Sequence, residues 1–134
     1  MMMKFGGYVI DAGSKRHQLP IIIDPNADMI AKTVCSIEKC TAIINMEHEL
    51  LPEIGPYELT LMTEKGKFLL MLSEVDENGE TQVRTLTNCD APNTLITMQG
   101  EKYPAKSVVF DTAPVIAAFK EFALTGNVSP TLLT

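Results

Sequence analysis

The chain is poor in the residues that most often carry chemistry. Its arginines are Arg16 and Arg84, its histidines His17 and His48, and its cysteines Cys35, Cys40 and Cys89. An odd, sparse cysteine set is no disulfide framework. Cys35 and Cys40 lack the CxxC spacing of a zinc or redox site, so all three read as buried free thiols. There is no HExxH. His48 stands between Glu47 and Glu49, but neighbours on an extended segment point to opposite sides, so the trio cannot close on a metal; it reads as an exposed loop histidine. Gly6-Gly7 and Glu64-Lys65-Gly66-Lys67 do not match a phosphate loop. Long apolar runs are missing too. Phe68–Leu72 is far too short to cross a bilayer, and no signal-peptide succession opens the chain. The expected location is therefore cytoplasmic, with no metal and no cofactor.

Positive charge is also scarce. Eleven basic residues face 17 acidic ones, for a net charge of −6. That excludes nucleic acid and anionic membrane as natural partners, since both select basic surfaces. The deficit is concentrated. Between Glu47 and Glu80 nine acids meet only Lys65 and Lys67, a net of −7, while the rest of the chain carries +1. A one-sided negative field steers a positively charged partner.

What is present fits one domain spanning 134 residues, 46% of them hydrophobic. Residues 4–10 read as a strand in which Gly6-Gly7 permits a bulge or a close backbone approach. Asp11–Gln18 reads as a turn or loop, and Ile21–Ile23 as a short edge strand or an extended lead into a helix. That helix is expected over 26–39, capped by Asn26, with Met29, Ile30, Thr33, Val34 and Ile37 on one stripe. A strand at 41–46 precedes an acidic loop from Glu47 to Pro56. Alternation over 57–64, a turn at Lys65-Gly66 and a doubly apolar run at Lys67–Val75 give a hairpin whose second strand is central. Asn78-Gly79 predicts a two-residue hairpin turn into Thr81–Thr87. Leu95–Met98 and Ser107–Phe110 would complete a meander. A closing helix over 112–124 starts at Asp111 or Thr112, holds Pro114 in its first turn and stops at Gly126. The expected class is α+β: a single antiparallel-dominated sheet, a β-meander, packed with two helices on one face.

No catalytic set emerges. Glu74, Asp76, Glu77 and Glu80 surround a solvated hairpin tip, which does not separate carboxyl pKa values as acid–base catalysis requires. Arg84 faces that arm and predicts a cross-strand ion pair with Glu74 or Asp76. Tyr57 and Tyr103 both adjoin a proline and suit an aromatic lid. Met29, Met62 and Met71 read as core or sheet residues.

The run Glu64-Lys65-Gly66-Lys67-Phe68-Leu69-Leu70-Met71-Leu72 resembles the central hairpin of small bacterial immunity proteins. Gly100-Glu101-Lys102-Tyr103-Pro104-Ala105, Phe119-Lys120-Glu121-Phe122 and Thr125-Gly126 are similar to the closing part of such proteins. The resemblance covers roughly residues 57–130. It implies a non-enzymatic protein that binds and blocks one cognate toxin domain, the C-terminal part of a large secreted protein, in a contact-dependent growth inhibition or other polymorphic toxin system. A nuclease-type toxin carries cationic surface, which an acidic inhibitor can occupy. Charge nominates Glu47, Glu49, Glu53, Glu74, Asp76, Glu77 and Glu80 as partner contacts. Tyr57, Arg84 and Tyr103 join them because aromatic and arginine side chains dominate binding energy. The alternative is a small ligand-binding domain or enzyme with a pocket between sheet and helices, reached by Cys89, His17 or His48. A third reading, a subunit of a larger assembly, predicts an exposed apolar patch.

Overall fold

A computed structural model describes residues 2–134. The elements in chain order are β1 (Met3–Ile10), β2 (Arg16–Gln18), β3 (Ile22–Ile23), α1 (Ala27–Ser36), β4 (Thr41–His48), β5 (Gly55–Glu64), β6 (Lys67–Val75), β7 (Thr81–Thr85), β8 (Leu95–Met98), β9 (Glu101–Pro104), β10 (Val108–Val109) and α2 (Thr112–Thr125). The class is α+β, with a mostly antiparallel sheet and two helices. Among the described residues, eight strands share one sheet, six of them along the path β10-β6-β5-β4-β1-β2, with β3 and β7 off it. Both edges are composite. β3 and β2 pair with successive stretches of β1, and β10 and β7 with successive stretches of β6.

Alternation divides the sheet into two faces. Phe5, Ala42, Ile44, Met46, Leu59, Leu61, Phe68, Leu70 and Leu72 are buried on one face beneath α1 and α2. Asn26 caps α1 by accepting the Met29 N–H at 2.9 Å, and Ile30, Val34 and Ile37 face the sheet. Asp111 caps α2 through the Ala113 N–H, and Gly126 ends it at φ 75°. Its Val115, Ala118, Phe119 and Phe122 are buried, with Phe119 edge-on to Phe5 at 5.4 Å. The buried Thr63 hydroxyl donates to the Cys40 carbonyl at 2.9 Å.

The opposite face is only half covered. β8 and β9 form their own hairpin, turning at Gln99 and Gly100, which both take positive φ. It packs Ile96, Met98 and Tyr103 with Met62, Leu69, Met71 and Val108. The Gln99 amide ties the turn down by donating to the carbonyls of Ala42 and Thr63, each at 3.1 Å.

Several expectations are corrected. Leu95–Met98 does not continue a meander: it pairs only within its own hairpin, and the strand expected at 107–110 shrinks to β10 and joins β6. Residues 16–18 form a strand rather than a loop. The helix expected to reach residue 39 ends at Ser36, where the Ile37 N–H turns back to Val34. Asn78-Gly79 is not a two-residue turn. Gly79 has φ 78° but Asn78 does not have positive φ, and the turn closes between Asp76 and Glu80. β7 stops at Thr85. Met29 and Cys35 are exposed because the apolar stripe of α1 is narrower than expected, while Cys89, on the connection between β7 and β8, is exposed and Cys40, just before β4, is half-buried. His48 is no loop residue. β4 continues through it, and its half-buried ring packs on Phe122 at 5.4 Å.

Candidate functional site

Strand direction gathers the acidic loops. β4 runs toward one end of the sheet, β5 away from it, β6 back and β7 away again. The 49–54 connection and the 76–80 turn therefore lie at the same end, where Gly55 sits opposite Val75 and Val75 opposite Thr81. The start of β1 joins them, since Met3 is opposite His48 and the Glu49 N–H donates to the Met2 carbonyl. Glu49, Glu53, Glu77 and Glu80 are exposed there. Sequence reading missed the apolar partners of these acids. Leu50, Leu51 and Ile54 are 83%, 72% and 59% exposed. The sequence signal is Glu49-Leu50-Leu51-Pro52-Glu53-Ile54, where Leu50, Leu51 and Ile54 stand in a proline-broken loop without the alternation that would bury them.

The remaining nominated residues are placed differently. Glu74 and Arg84 form the expected cross-strand pair, with Nε 3.2 Å from Oε1. Arg84 does more than that. Its guanidinium donates to the Val128 carbonyl at 3.0 Å, to the Leu133 carbonyl at 3.4 Å and to Asn127 Oδ1 at 2.7 Å. It thereby fastens the residues after α2 to β7, where Thr134 exchanges two backbone hydrogen bonds with Thr85.

Asp76 is spent on its own turn. Oδ1 accepts the N–H groups of Asn78 and Glu80, and Oδ2 accepts from Gln82. These donors, the Glu80 N–H foremost, hold its carboxyl below the usual 3.8. Asp11 repeats the pattern in the β1–β2 turn. It accepts the Gly13 and Lys15 N–H groups on Oδ1 and pairs with His17 Nε2 at 2.7 Å on Oδ2. Its carboxyl is lowered as well, chiefly by the His17 hydrogen bond and then by the Lys15 N–H. Both loops place three residues between paired neighbours and put the third, Ser14 or Gly79, at positive φ.

Glu47 points to the open face opposite Lys4. Tyr57 falls at a β-bulge between Pro56 and Glu58. Tyr103 packs under the β8–β9 hairpin, away from the acidic end.

The centre of the space between sheet and helices is filled with side chains, and at its edge an open groove of about 350 Å³ lies between Phe5, Leu19 and Ile22 on the sheet side and Lys32, Thr33 and Ser36 of α1. His17, His48 and Cys89 are not brought together. His17 lies on the β2 edge and His48 against α2. Cys89 is beside Phe110, Asp111 and Pro114 in a shallow depression. Among the described residues, no helix is long and apolar enough to cross a membrane.

No curated protein matches the sequence. The crystal structure of a hypothetical protein from Neisseria gonorrhoeae is similar throughout, with a TM-score of 0.86 at 25% identity over 96% of this chain and 90% of that one. A family profile described as "Family of unknown function (DUF6911)" matches residues 2–132, and the chain belongs to that family.

Proposed function

We propose that the protein is an immunity-type inhibitor. It acts in the cytoplasm, binds a basic toxin domain at the acidic end of its sheet and blocks that domain by occlusion, with no chemistry of its own. One observation carries the reading. Two loops from different hairpins bring Glu49, Glu53, Glu77 and Glu80 to one end of a filled sheet, around the exposed Leu50, Leu51 and Ile54. Exposed apolar side chains mark protein-binding surfaces, as the reading of the chain as a subunit of a larger assembly also expects, and the acids around them favour a basic partner. The acids would set the association rate and the leucines the residence time.

The test starts with affinity capture from the native bacterium and mass spectrometry, expecting a stoichiometric basic partner from the C-terminal end of a large secreted protein. Reversal of Glu49, Glu53, Glu77 and Glu80 to lysine should then slow association with that partner by about tenfold or more at low salt. Glu74 and Asp76 are left intact, because they hold structure. Absence of any such partner under conditions of toxin expression refutes the proposal, as does an unchanged association rate.

A further inference from the structure

β1 reads Lys4-Phe5-Gly6-Gly7-Tyr8, and its two glycines have different grounds. At Gly7 the backbone demands one: φ is 148°, and a Cβ would lie 2.1 Å from the Ile43 carbonyl oxygen. At Gly6 nothing demands one. Its φ is not in the left-handed range, and a Cβ would meet Ile21 Cγ1 at 3.5 Å, an ordinary contact. What the missing side chain does is open the floor of a groove of about 310 Å³ on the half of the sheet that the β8–β9 hairpin leaves bare. Lys4, Tyr8, Gln18, Ile21, Asn45 and Glu47 line it.

The charges in this groove are unspent. Lys4 and Glu47 are directly opposite each other in the β1–β4 register. Opposed charges at that spacing usually pair, yet among the described residues neither side chain takes part in an ion pair or hydrogen bond. The surroundings are more committed. The Asn45 amide donates to Glu58 Oε2 at 3.1 Å, which leaves its carbonyl oxygen for another donor. The Arg16 guanidinium stacks on the Tyr8 ring at 4.4 Å and stiffens one wall.

We propose that this groove binds a small zwitterion of the α-amino-acid class, with the ligand carboxylate on Lys4 and its ammonium on Glu47. A simple anion would meet Glu47, and a simple cation would meet Lys4. A molecule carrying both signs a few bonds apart satisfies the groove without leaving a charge unmatched. The volume, that of about ten water molecules, sets the size at a single amino acid. Ile21 and the Tyr8 ring supply apolar surface for its side chain. The site is independent of the toxin-binding proposal, since it needs no protein partner.

The test is an NMR titration of the ¹⁵N-labelled protein at constant ionic strength. The probes are glycine, glutamate, lysine, leucine and phenylalanine, each taken to about 20 mM, which detects millimolar affinity. Acetate and methylammonium serve as single-charge controls. The expected result is saturable shifts confined to residues 4, 6–8, 18, 21, 43, 45 and 47 for at least one amino acid. Both controls should bind about tenfold more weakly or worse. Lys4→Met and Glu47→Gln, which keep the length of each side chain on the open face, should each lower affinity about tenfold, while Glu53→Gln should not. The proposal is overturned by no saturable shift at those residues with any of the five. It is equally overturned by controls that bind as well as the amino acids, or by affinity unchanged in both groove variants.

Discussion

The approach of β1 to β4 at Gly7 makes a sharp quantitative claim. In Gly7→Ala the added methyl would sit 2.1 Å from the Ile43 carbonyl oxygen and 2.7 Å from Ile44 Cα. Both obstacles are backbone in the middle of the longest β1 pairing, so relief requires β1 and β4 to part. Holding a side chain at φ 148° costs about 1–3 kcal/mol, and forcing an extra methyl into close packing about 1–3 kcal/mol more. The expected loss is about 2–6 kcal/mol, a large share of the ~5–15 kcal/mol that stabilises a typical domain. Gly6→Ala is the internal control. One residue away, on the same strand, its methyl makes an ordinary contact with Ile21, and a reduced unfolded-state entropy favours it. Its effect should lie between no change and a gain of about 1 kcal/mol. Urea unfolding followed by circular dichroism, read as the midpoint shift at constant m, measures both. If the two alanine variants are equally stable, or Gly7→Ala costs under about 1 kcal/mol, the close approach is wrong.

Three further outcomes follow from the same geometry. Arg84→Met removes donors to Val128, Leu133 and Asn127 and leaves Glu74 unpaired, so it should cost about 2–3 kcal/mol. Glu74→Gln should cost less, and hydrogen exchange in Arg84→Met should rise first at Thr134 and Thr85. Gln99→Ala frees the β8–β9 turn from Ala42 and Thr63. Dye binding to the uncovered Met62, Leu69 and Met71 should then increase without global unfolding, and an unchanged signal would show that the apolar contacts alone hold the hairpin. Asp76 and Asp11 have folded pKa values below 3.8, so their contribution to stability is present above about pH 3.8 and lost as pH falls through the lower folded value. Carboxyl NMR titration should give midpoints below 3.8 for both, and Gln82→Ala should raise that of Asp76 alone.

The elements the sequence made legible are those specified locally. Asn26, Asp111, Pro114 and Gly126 mark helix ends by side-chain and φ requirements that a few residues satisfy, and each acts as read. The Lys65-Gly66 turn is legible for the same reason: both residues take positive φ between an alternating strand and a doubly apolar one. The failures are positions where tertiary partners decide. The β1–β2 turn uses Ser14 at positive φ in place of glycine, and so hides the motif that Asp76–Gly79 shows openly. β10 is two residues long, and only its pairing with Leu69 and Phe68 identifies it. Nothing local indicates that Leu95–Pro104 folds over the sheet instead of extending it. That depends on whether Met62 and Met71 need covering.

The charge asymmetry shows the same limit in another form. Counting residues gives the Glu47–Glu80 segment nine acids, but a carboxylate that already serves the fold is a poor partner for anything else. Glu74 is held by Arg84, Glu64 by Lys67 at 3.5 Å, Glu58 by the Asn45 amide, and Asp76 by its own turn. Glu47, Glu49, Glu53, Glu77 and Glu80 remain, and Glu47 belongs to the open face rather than to the sheet end. Four carboxylates on two loops make a field much weaker than the sequence suggests. At physiological ionic strength that field fades within about 8 Å. Steering by these acids can therefore accelerate encounter but cannot supply most of a tight affinity. The binding free energy of an inhibitor working here must come largely from Leu50, Leu51 and Ile54. Their replacement by serine should shorten the lifetime of a complex far more than reversal of the four acids does, while leaving the salt dependence of association in place. Equal effects of both sets on the dissociation rate would refute that division of labour.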